Sequence, residues 1–75
     1  MKVNKTQALL YMYDCLISRG YITKEHICSE IKISNLTFLR YIQELRAYLC
    51  NFAPYQELVY SRNNEKFILI TKKLI

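Results

Sequence analysis

Two helix-start signals, at Thr23 and Ser34, leave room between them for a helix of barely two turns and one short connection. A helix that short is not stable alone, so it forms only by packing on a neighbour. Ile22 precedes Thr23 and Ile27 follows at the spacing of a hydrophobic staple, and Ile33, Ser34 and Phe38 repeat the pattern. Such a staple fixes the angle at which the chain enters each helix. The spacing therefore predicts a helix over Lys24–Ile31, a connection Lys32-Ile33-Ser34, and a longer helix from Asn35 to about Cys50. Phe38, Ile42, Leu45 and Leu49 form the inward stripe of that longer helix. Pro54 forbids its continuation, so Asn51 to Tyr55 reads as a turn.

The flanks complete the architecture. Asn4 and Gln7 have capping-box spacing, and Leu9, Met12, Tyr13, Leu16 and Ile17 follow at helical spacing. Gly20 stands where a left-handed closing residue belongs, which gives a first helix from about Lys5 to Arg19. After Pro54 the period changes. Glu57-Leu58-Val59-Tyr60-Ser61 and Lys66-Phe67-Ile68-Leu69-Ile70-Thr71 are rich in β-formers, with Arg62-Asn63-Asn64-Glu65 as turn chemistry between them. The two asparagines suit the positive φ that a tight hairpin turn requires. The expected fold is α+β: three helices followed by a β-hairpin, one domain over residues 1–75, with no internal repeat.

Composition narrows the function classes. The chain has 75 residues, 52% hydrophobic and 23% charged, with one Gly and one Pro, which argues for a folded domain rather than a disordered one. Its size, and the want of a Gly-rich phosphate loop, a nucleophile–base pair or a metal cluster, argue against an enzyme; no cofactor or metal is expected. Cys15, Cys28 and Cys50 are odd in number and lack C-x-x-C spacing, so they read as reduced thiols of a cytoplasmic protein. Asp14 interrupts the short apolar run Leu9–Tyr13 too soon for a secretion signal, and no run approaches a membrane span. A net charge of +5 favours a polyanion as partner.

A short helix, a three-residue turn and a longer capped helix make a helix-turn-helix, and a hairpin with basic residues near its tip makes a wing. The stretch from Gly20 to Arg46 resembles the winged helix-turn-helix of DeoR-type and biotin-repressor-type bacterial transcriptional regulators. Ser34, Thr37, Phe38, Arg40, Ile42, Leu45 and Arg46 match that pattern in place and type, and Phe67-Ile68-Leu69 resembles the closing strand of the wing. The likeness runs from about Lys5 to Ile70. It implies a small bacterial or phage-type regulator that binds double-stranded DNA, with helix 35–50 in the major groove and hairpin 57–71 as wing. Lys32 stands where relatives often have Gly or Asn, and a lysine at positive φ is strained. Asn35 and Leu36 replace two basic residues at the helix start, Tyr41 replaces an aspartate, and Asn63-Asn64 replace wing glycines.

With the apolar stripe inward, Asn35, Leu36, Leu39, Arg40, Gln43 and Arg46 turn to the opposite face and its flanks. Arg reads guanine and Asn or Gln reads adenine, while leucine packs against a thymine methyl. Thr23, Lys24 and Thr37 lie at helix starts, where free N–H groups favour phosphate. Arg62, Asn63, Asn64 and Lys66 are the wing contacts. The plain alternative for each is a solvated charge or a cap, and His26 reads as a solvent-facing polar residue. Cys28 reads as packing between the two helices, and Cys15 and Cys50 as core or near-core thiols. A body of this size cannot bury seven tyrosines, and Phe67–Ile70 is apolar on both strand faces. That surplus suits a homodimer, a further domain or another protein partner. The competing function is thus a winged helix used as a protein–protein interaction module, without DNA binding of its own.

Overall fold

Each helix begins on the side-chain cap that the sequence places there. In the computed structural model, which describes residues 3–72, Asn4, Thr23 and Ser34 accept from the N–H groups of Gln7, His26 and Thr37. These caps open α1 (Lys5–Arg19), α2 (Lys24–Ile31) and α3 (Asn35–Phe52). Gly20 closes α1 in the left-handed conformation at φ 86°, its N–H bonded to the Leu16 carbonyl at 2.7 Å. The hairpin strands β2 (Gln56–Ser61) and β3 (Lys66–Thr71) follow the change of period, and a two-residue strand that was not expected, β1 (Tyr21–Ile22), joins them. The domain is α+β, three helices with a three-stranded antiparallel sheet in the order β1-β3-β2.

The core lies where the helices meet one face of this sheet. Ala8, Met12, Cys15 and Leu16 enter it from α1, Ile27 and Ile31 from α2, and Phe38, Ile42, Leu45 and Leu49 from α3. Ile22, Leu58 and Phe67 complete it from the sheet. Both first residues of the two staples point inward, Ile22 fully and Ile33 partly. In the hairpin, Leu58 faces Leu69 and Tyr60 faces Phe67 across the strands. The strand alternation puts all four on the inner face, with Val59 and Ile68 on the outer one. Tyr21 joins that outer face opposite Ile68, so the second apolar face of β3 is covered in part by its own neighbours.

Several local expectations shift. Helix α3 runs through Phe52, so Asn51 and Phe52 are helical and the turn begins at Ala53; Pro54 stops the helix only two residues before itself. Ile17 is 53% exposed because the inward stripe of α1 is carried by Ala8 and Cys15 on the other side of Met12 and Leu16. Cys50 is exposed, on a flank of α3 away from Leu45 and Leu49. The hairpin loop spans the four residues between the paired Ser61 and Lys66, and its left-handed residue is Glu65, at φ 51°, not Asn63 or Asn64. A loop of that length turns back with one left-handed residue at its exit, whereas a two-residue type I′ turn needs two. The asparagine that matters locally is Asn64, whose Nδ2 donates to Ser61 Oγ at 3.3 Å.

Lys32 does take the left-handed conformation, at φ 55°, and closes α2 with its N–H on the Cys28 carbonyl. A Cβ in that region is strained by about 1–2 kcal/mol, part of which a glycine would lose to its freer unfolded chain. Lys32→Gly is therefore expected to raise stability by about 0.5–1 kcal/mol in urea unfolding, and Gly20→Ala to lower it by about 1 kcal/mol. A loss of stability in Lys32→Gly would contradict this account of the turn.

Candidate nucleic-acid interface

The turn that joins α2 to α3 sets the direction of everything the longer helix presents. Cys28 lies half-buried beneath it, its Sγ 3.8 Å from the Ser34 carbonyl and 3.7 Å from Asn35 Oδ1. Ser34 accepts from the Thr37 N–H at 3.1 Å and donates its own hydroxyl proton to Thr37 Oγ1 at 3.0 Å. The Asn35 and Thr37 side chains are thus engaged within the turn itself, whereas Leu36, 60% exposed, projects into solvent.

Along α3 the residues opposite the buried stripe fall into one outward face. Leu36, Arg40 and Gln43 are exposed on it. Leu39, 48% exposed, and Arg46, half-buried, lie on the flank that turns toward the hairpin. Arg46 Nε donates to the Leu58 carbonyl at 3.4 Å, so its guanidinium bridges α3 and β2. Between them, the α2 start and the hairpin enclose an open cleft of about 610 Å³. Thr23, Lys24, Leu39, Arg46 and Asn64 all line it.

Other expected residues sit outside this cleft. Arg62 and Asn63 are exposed on the hairpin loop. Lys66 has its ammonium 4.2 Å from the centre of the Tyr21 ring, a cation–π contact on the outer face of the sheet. Within the cleft Thr23 is half-exposed, and its hydroxyl is the α2 cap, accepting from the His26 backbone N–H at 3.2 Å. His26 itself lies 3.7 Å from Glu30 across one helical turn.

The cleft also contains residues that the sequence reading did not select: Glu25, Tyr60, Glu65 and Phe67. The strand alternation carried the signal for Tyr60, because it shares the inner face with Leu58 at the open end of the hairpin and leans on Phe67 at 4.8 Å. The two carboxylates have local roles as well, Glu25 in the first turn of α2 and Glu65 at the loop exit. Lys24, Arg40, Arg46 and Arg62 place positive charge on the helix and loop side, while Lys5 and Lys72 are paired with Glu44 and Glu57 at 3.5 and 3.2 Å. Among the described residues no group of three or more His, Cys, Asp or Glu side chains is arranged to hold a metal. No described helix is long and apolar enough to cross a membrane.

No family model, curated protein or solved structure matches this chain.

The three thiols report on the turn. Burial pushes the Cys28 thiol above its ordinary value, only partly offset by the nearby Lys24 charge. It therefore stays protonated further up the pH range than an ordinary thiol, and thiolate is the form that reacts. Alkylation of the native protein at neutral pH is expected to modify exposed Cys50 first, Cys28 slowly, and buried Cys15 last, with the Cys28 rate climbing as the pH is raised. Fast modification of Cys28 at neutral pH, read by mass spectrometry of peptides, would show that the turn is not packed this way.

Proposed function

We propose that the chain is a winged helix-turn-helix domain that binds double-stranded DNA, with α3 in the major groove and the β2–β3 hairpin as wing, and that it regulates transcription in the cytoplasm. The observation that carries this reading is the outward face of α3: Leu36, Arg40 and Gln43 are exposed side by side, beside a cleft whose other walls are the α2 start and the hairpin. A helix with its side chains fits the width of the major groove. Arg40 supplies a guanine-reading fork, Gln43 an adenine-reading amide and Leu36 an apolar contact for a thymine methyl. The α2 start, with Lys24, offers N–H groups and charge to a phosphate, and Arg62 on the loop reaches the backbone alongside.

A second reading has its own observation. Leu36 on the outward face and Leu39 on the adjoining flank expose apolar surface, and Glu25 and Glu65 bring negative charge into the cleft. Those features suit a protein surface better than a phosphate backbone, and they favour an interaction module if DNA binding fails.

Fluorescence anisotropy with duplex DNA across a salt series separates the two. Contacts from Lys24, Arg40, Arg46 and Arg62 give an expected slope of log K against log salt of roughly −3 to −4 per protomer. Arg40→Ala is expected to weaken binding about tenfold and to make the slope shallower by about one. No binding at low salt by a folded chain would overturn the DNA reading and leave the interaction module.

A further inference from the structure

The flank of α3 that faces away from the hairpin carries a different surface. Tyr48 meets Tyr13 of α1 edge-to-face with ring centres 5.8 Å apart, and Phe52 leans on Tyr48 at 5.3 Å. The Tyr13 hydroxyl lies 3.4 Å from Gln56 Oε1, next to Tyr55. Burial, then the neighbouring Tyr48 and Tyr55, push the Tyr13 phenol above its ordinary value, in keeping with hydroxyls gathered at one place. Leu10 and Ile17 lie one helical turn on either side of Tyr13 and extend the cluster along α1.

This surface is open. Phe52 is 72% exposed, Leu10 64%, Ile17 53%, Tyr48 47% and Tyr55 43%. Taking typical side-chain areas, they offer about 500 Å² of mostly apolar surface. Two copies that cover these residues completely would bury about 1,000 Å² before any polar rim, which is the threshold of a specific interface.

Charge selects the occupant. The protein carries +5, so copies of it repel one another through most approaches. Beside this patch Glu44, one turn before Tyr48 on α3, pairs with Lys5 at 3.5 Å, and Arg19 lies on the opposite side of α1 near Tyr11. We propose that the Tyr13–Tyr48–Phe52 patch is a self-complementary interface at which a second copy of this chain docks. The pairing is two-fold, so each copy covers the other's patch and no patch is left open to propagate. It leaves the α3 face with Leu36, Arg40 and Gln43 free in both copies. The inference does not depend on what that face binds.

Sedimentation equilibrium of the full chain tests it. The expected mass is twice 9.0 kDa in the micromolar range. Phe52→Glu is expected to raise the dissociation constant at least tenfold while the circular dichroism spectrum stays unchanged, since the side chain is mostly in solvent. Leu10→Glu gives the same answer from α1 if Phe52→Glu disturbs folding. Leu36→Glu, on the opposite face of α3, is expected to leave the dimer intact. A wild-type chain that stays at 9.0 kDa up to about 200 µM would overturn the proposal and assign the patch to another protein. Larger open-ended assemblies would overturn it, and so would a dimer broken by Leu36→Glu but not by the two patch variants.

Discussion

Phe38 is the contact on which the arrangement of this domain depends. It is fully buried one turn into α3, and its ring meets Phe67 of β3 at 5.5 Å, edge to face. Phe67 in turn supports Tyr60 on β2, so one chain of aromatic contacts runs from the helix start to the hairpin. Aromatic pairs of this kind contribute about 0.5–1.5 kcal/mol beyond the area they bury. Their geometric effect is larger than that figure suggests, because they fix where the hairpin stands relative to the outward face of α3. Arg46 adds a second tie lower on the helix, through the Leu58 carbonyl of the edge strand β2. It also occupies a backbone acceptor that an open sheet edge would otherwise present to another strand.

α3 thereby separates two surfaces of different chemistry. One flank, with Leu39 and Arg46, looks into the cleft with the α2 start and the hairpin. The other, with Tyr48 and Phe52, is aromatic and bordered by the Lys5–Glu44 ion pair. A single amphipathic stripe of Phe38, Ile42, Leu45 and Leu49 holds the helix down the middle and makes this division possible. Under the proposed function and the proposed dimer, one surface faces nucleic acid and the other faces a second protomer, with no residue asked to do both.

Much of this was legible in the sequence, for identifiable reasons. Caps and staples are local signals, so Asn4 and Gly20 marked the start and stop of the first helix, and Thr23 and Ser34 the starts of the second and third. The left-handed Lys32 was legible as a strained position only through the resemblance, because relatives often have Gly or Asn in that turn. Strand β1 was not: two residues give no period, and Tyr21–Ile22 is a strand only because β3 lies alongside. The exposure of Ile17 was hidden because α1 carries apolar residues on more than one face, and only tertiary contact shows that Ala8 and Cys15 are the inner ones. In the candidate site, the exposed face of α3 followed from its stripe. The bridge from Arg46 to Leu58 and the place of Tyr60, Glu25 and Glu65 in the cleft depend on how the hairpin docks, which no local pattern encodes.

The most direct test of the central claim is a residue-by-residue map of the surface that meets DNA. In an NMR titration of the labelled chain with duplex DNA, the account predicts that amide shifts change around Thr23–Lys24, along Leu36–Gln43 and at Arg62–Asn64. Tyr13, Tyr48 and Phe52 are predicted to stay unperturbed by the DNA. Shifts confined to the aromatic flank, or spread evenly over the basic residues with none favoured on α3, would contradict it.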